Sequence, residues 1–119
     1  MSKLNLEKGI AADLLLLAGN RWGVVNQTLT ATFAVPVDAP HVLALDPGGA
    51  SRNVTLPASP QIGDWFVIIN TADAAEVITV QDSAGAGLTP AITPTQNEIA
   101  YVYFVGGALG WRGAVALGA

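Results

Sequence analysis

Chemistry in this chain would have to begin with His41, its only imidazole, because there is no cysteine and just five cationic side chains occur in 119 residues. A hydrolase needs a nucleophile activated by a base that a third group orients. His41 instead lies between Pro40 and Val42, where a strand end is the expected setting. Any two of the nine acids could be paired as glycosidase carboxylates, so their presence singles out no pair. Calcium chemistry would be sought at Asp73 with Glu76, or at Asp82 with nearby carbonyls, yet neither segment has the alternating acidic spacing of a calcium loop. The acids Asp38, Asp46, Asp64, Asp73 and Asp82 adjoin Pro, Gly, Ala or Ser, which suits turn formation and solvation. Gly48-Gly49, Gly85-Ala86-Gly87 and Gly106-Gly107 precede neither a helical pattern nor a lysine, so they read as turns and not as phosphate cradles. The expectation is a chain without catalytic residues, metal ligands or cofactor.

Aromatic side chains offer a binding chemistry instead. Trp22, Trp65, Trp111, Tyr101 and Tyr103 could form a sugar-stacking platform, as in a carbohydrate-binding module. The competing reading places Trp65, in the most apolar segment, in the core. Trp22 and Trp111, beside Arg21 and Arg112 at segment ends, then anchor contacts between subunits. Composition favours contacts: 51% of residues are hydrophobic and 12% charged, about half the usual charged share. With no disulfide available, oligomerisation is the remaining common way to stabilise so small a domain. The net charge of −4 and the scattered cations Lys3, Lys8, Arg21, Arg52 and Arg112 exclude a nucleic-acid footprint. No stretch is long and apolar enough to cross a membrane as a helix.

The elements that would position these residues divide at about residue 22. Leu6, Ile10, Leu14 and Leu17 recur at helical spacing before Gly19 and Asn20, so residues 1–22 form either an amphipathic helix or an extended docking arm, with the Leu14, Leu15 and Leu17 cluster available to a partner. Asp13 in this apolar segment opposes a secretory signal. Residues 23–119 show strand patterning in one β domain, with no internal repeat. Gln27 to Val35 alternates, Leu29, Ala31, Phe33 and Val35 opposing Thr28, Thr30, Thr32 and Ala34, and predicts one strand. His41–Leu45, Asn53–Leu56 and Val77–Gln81 predict short strands. Trp65–Ile69 is apolar on both faces and predicts a central strand covered above and below. Ile99–Val105 and Leu109–Val115 predict a hairpin across Gly106-Gly107. Pro90 and Pro94 confine Ala91–Thr93 to an edge or a connection. Short strands between Gly/Pro turns predict an all-β fold, an antiparallel sandwich or barrel.

Charge sharpens this expectation, since none lies between Val24 and Val37 or between Ile99 and Trp111. Strands with a wet face normally carry some there. Both segments are therefore expected to be covered, inside the fold or by neighbouring subunits. Thr28, Thr30 and Thr32 would then hydrogen-bond across such a contact, and Trp22, Tyr101, Tyr103 and Trp111 would complete the assembly interface.

The runs Leu45-Asp46-Pro47-Gly48-Gly49-Ala50, Asn53-Val54-Thr55-Leu56-Pro57 and Gly63-Asp64-Trp65-Phe66-Val67-Ile68-Ile69-Asn70, with Ile78-Thr79-Val80, Asn97-Glu98 and Gly110-Trp111-Arg112-Gly113, resemble β-rich surface proteins of tailed bacteriophage virions. Over residues 41–113 the chain looks most like head decoration, or cement, proteins. The resemblance implies a non-enzymatic homotrimer, made in the host cytoplasm, that binds the major capsid protein on the outside of the head. Similar patterns in tail-fibre and tail-spike domains make a tail or baseplate component the alternative, and a carbohydrate-binding module comes third.

Overall fold

Side chains on successive strand residues point to opposite faces, and in the computed structural model, which describes residues 22–116, that alternation separates a shared core from an outer surface. The fold is all-β. Eight strands run in the order β1 (Val24–Thr28), β2 (Phe33–Ala34), β3 (Val42–Asp46), β4 (Arg52–Thr55), β5 (Trp65–Asn70), β6 (Ile78–Gln81), β7 (Ile99–Gly106) and β8 (Gly110–Ala116), and no helix occurs among the described residues. They form a five-stranded sheet of order β1-β3-β5-β7-β8 and a three-stranded sheet of order β2-β4-β6. The chain changes sheet at every connection from β1 to β7, so it winds as a coil before the β7–β8 hairpin completes the larger sheet.

This path corrects the expected antiparallel pairing. β1, β3 and β5 are parallel, as are β2, β4 and β6, and only β5–β7 and β7–β8 are antiparallel. Neither sheet closes into a barrel. A Gly/Pro turn marks where a strand ends, not whether the next one returns beside it or crosses to the opposite sheet. Parallel neighbours need a crossover, and here each crossover is itself a strand of the other sheet. Successive coils repeat structurally without an internal sequence repeat.

The predicted strand from Gln27 to Val35 is likewise two strands in different sheets. Its alternation persists because Leu29 and Val35 both turn into the core, while Ala31 at the corner is exposed. The corner is held by the Leu29 N–H, which donates to the Asp46 carbonyl at 2.7 Å. Gly48 packs so closely here that a Cβ would collide with the Leu29 carbonyl oxygen, and its φ of 76° also favours glycine.

One hydrophobic cluster joins the sheets. Leu43, Leu45, Phe66, Ile68, Ala100 and Val102 from the larger sheet meet Val54, Ile78 and Val80 from the smaller, with Leu29, Val35, Leu56 and Ile92 from the connections. Each large aliphatic or aromatic side chain fully withdrawn from water contributes about 1.5–3 kcal/mol. Ile92 lies in the Pro90–Pro94 connection, whose carbonyls at Ile92 and Pro94 accept from the Val80 and Ile78 N–H groups at 3.0 and 3.1 Å. That segment extends the edge beside β6 without being a strand.

Asn70 is the buried polar hub. Its Nδ2 donates to the Glu76 carbonyl at 2.9 Å and the Pro94 carbonyl at 3.0 Å, and its Oδ1 accepts from the Ala72 N–H at 3.0 Å. These bonds tie the end of β5 to the segments that enter β6 and β7, where backbone groups would otherwise be buried without partners.

Candidate assembly face

The larger sheet has a second, outward face that no other described residues cover. Strand register places Val24, Val42, Val67, Tyr101 and Ala114 in one row across all five strands. A neighbouring row is Trp65, Tyr103 and Arg112, and another runs Asn26, Ala44, Ile69, Ile99 and Ala116. Trp65, Tyr101 and Tyr103 are 42%, 48% and 49% exposed, and Val24 is 54% exposed. Trp65, Val67, Tyr101, Tyr103, Arg112 and Ala114 line a shallow cleft of about 440 Å³. Charge enters the face at Arg112 and, on the far side, at Asp46 opposite Thr28. An apolar surface of this continuity is characteristic of interaction sites.

Two tryptophans exchange their expected roles. Trp65, assigned to the core from its apolar strand, faces outward, and β5 is central within its sheet but covered on one side only by the described residues. Trp111, expected as an interface anchor, is 6% exposed and packs with Phe66 and Phe104, ring centroids 6.2 and 5.2 Å apart. In both strands the neighbours in register decide. Trp65 pairs with the outward Tyr103, and Trp111 pairs with Phe104 on the inward side.

Of the other residues expected at an interface, Tyr101 and Tyr103 sit together on this face. Trp22 is exposed, as is Thr28 at the edge of the sheet, whereas Thr30 and Thr32 are exposed at the β1–β2 corner, away from the tyrosines. Leu14, Leu15 and Leu17 lie outside the described residues. Among the described residues the uncharged segments are covered on one face only: Leu29, Val35, Ala100, Val102 and Trp111 are buried, whereas Asn26, Gln27, Thr28, Tyr101 and Tyr103 are exposed. Missed in the sequence were Val24, Val42 and Val67, while Trp65 was considered for a sugar platform but preferred in the core. Their signal was the two-sided apolarity of β5, whose outer cover the described residues do not supply.

His41 precedes β3, as a strand-end residue. Its Nδ1 donates to the Trp65 carbonyl at 2.6 Å, and its ring stacks on Trp65 at 4.0 Å and 7°. It stiffens the rim of the outward face. The turn roles expected for the acids are visible in three of them: Asp46 Oδ1 accepts from Gly48 N at 2.9 Å, Asp64 Oδ2 from Gln61 N at 3.0 Å, and Asp82 Oδ1 from Ala84 N and Ala86 N, both at 2.9 Å. At the β7 entrance, Glu98 Oε1 accepts from both the hydroxyl and the N–H of Thr95 at 2.7 Å, which holds its carboxyl below the usual range. No helix among the described residues is long and apolar enough to cross a membrane. No protein-family model matches the sequence, and no curated protein matches it.

Proposed function

We propose that this chain is a non-enzymatic structural protein of a tailed-phage virion, a capsid decoration or cement protein whose two sheets form a sandwich. The observation that carries the reading is the outward face of the larger sheet, where exposed Trp65, Tyr101 and Tyr103 adjoin a row of valines. Aromatic residues in such a patch are the usual energetic centres of protein interfaces. Sheets with parallel strands are normally covered on both faces, so the cover comes from other copies, as a homotrimer, and from the major capsid protein. The action is mechanical: many modest contacts, repeated over a shell, add up to resistance against outward pressure.

The edges of β1 and β2, unpaired by other strands among the described residues, favour a second reading, a tail-fibre, tail-spike or baseplate component. Immunogold electron microscopy on virions from the genome that encodes the chain tests both. Label over the head supports the decoration role, label confined to the tail selects the second reading, and unlabelled particles overturn both.

A further inference from the structure

Three carboxylates, Asp46 and the sequence-distant pair Asp73 and Glu76, meet where β3 ends. Asp46 is the last residue of β3, and Asp73 and Glu76 lie in the β5–β6 connection. One oxygen from each lies within 4.8 Å of the others. Like charges this close repel unless an opposite charge is present.

Glu76 makes the arrangement more than an exposed acidic cluster. It is 7% exposed, its Oε1 accepts from the Gly49 N–H at 2.7 Å, and its Oε2 is buried without a hydrogen-bond partner among the described residues. A buried carboxylate oxygen left without a donor is strongly disfavoured. Arg52, beside this corner in sequence, is turned to another task, its Nε donating to the Pro47 carbonyl at 2.9 Å.

We propose that Asp46, Asp73 and Glu76 bind a calcium ion. Calcium takes oxygen ligands at about 2.3–2.6 Å, so oxygens on opposite sides of one ion stand up to about 5 Å apart, a span that includes the cluster. The donors are all hard oxygens, which excludes metals that prefer nitrogen or sulfur. Magnesium requires near-ideal octahedral geometry at about 2.0–2.1 Å and is less suited to ligands drawn from an irregular loop and a strand end. The ion would complete Glu76 Oε2 and join the end of β3 to the β5–β6 connection, thereby linking successive coils. This inference rests on the carboxylate geometry and is independent of the virion reading.

Isothermal titration calorimetry on the full chain, stripped with EGTA and exchanged into buffer, tests it with calcium chloride against magnesium chloride at equal ionic strength. Calcium is expected to bind with a Kd between about 10⁻⁵ and 10⁻³ M, tighter than magnesium, and to raise the melting temperature. Asp73 is exposed, so Asp73→Asn keeps the fold by circular dichroism and weakens calcium binding by roughly tenfold or more. Glu76→Gln weakens it similarly, and Asp73→Asn decides alone if Glu76→Gln does not fold. Absence of heat or thermal shift at millimolar calcium overturns the site, as does undiminished binding in Asp73→Asn.

Discussion

Trp111 and Trp65 show how differently one residue type behaves on the two faces of a sheet. Trp111→Ala removes a ring packed against Phe66 and Phe104 and is expected to cost about 3–5 kcal/mol in urea denaturation. Trp65→Ala, on the outward face, is expected to cost the single chain about 1 kcal/mol or less. Its larger effect falls on assembly. Asn70→Ala leaves the Glu76 and Pro94 carbonyls and the Ala72 N–H without their side-chain partner, for a loss on the order of 3 kcal/mol in the same measurement. Glu98 supplies the pH-dependent case. The Thr95 hydroxyl, and next the Thr95 N–H, depress its carboxyl, so its stabilising contribution is present above the ordinary carboxylate pKa and is lost as pH falls through the depressed one. Thr95→Val removes the hydroxyl alone and is expected to move the Glu98 titration upward by NMR, while an unmoved titration would contradict that cause.

At the scale of elements, strand positions were legible because alternation and turn chemistry are local. Val42–Asp46, Arg52–Thr55, Ile78–Gln81 and the β7–β8 hairpin lie within a residue or so of where Thr, Val, Gly and Pro placed them. Pairing was not legible, since Asp46-Pro47-Gly48-Gly49 specifies a sharp change of direction whether the next strand returns or crosses over. The β1–β2 corner was hidden for a related reason: Leu29 and Val35 both point inward, so the period-2 pattern passes through the break between sheets. The outward face was half legible. Tyr101 and Tyr103 were identified from an uncharged segment, but Val24, Val42 and Val67 become neighbours only through parallel register. Of the Asp46, Asp73 and Glu76 cluster, Asp73 with Glu76 was considered for calcium and set aside on its spacing, whereas Asp46 joins them only through the fold, from the preceding coil. Residues 22–116 contain both sheets and their common core, so deletion of residues 1–20 is expected to preserve a β-type circular dichroism spectrum. A truncated chain that fails to fold would place the Leu14, Leu15 and Leu17 segment in the core instead of in a docking arm.

For the whole molecule, the proposal that part of the surface belongs to an assembly accounts for both the low charge content and the exposed apolar face. A single chain in water would leave Trp65, Tyr101, Tyr103 and Val24 exposed together, whereas a closed oligomer buries them in the same way in every copy. Tyr101 points away from the core, so Tyr101→Lys is expected to retain the fold and place a desolvated charge in the contact. The most direct measurement is sedimentation velocity of the full chain at micromolar concentration, with Tyr101→Lys beside it. The expected result is a closed oligomer, a trimer, for the unaltered protein and a folded monomer for the variant. A stable monomer of the unaltered protein at that concentration would contradict the account.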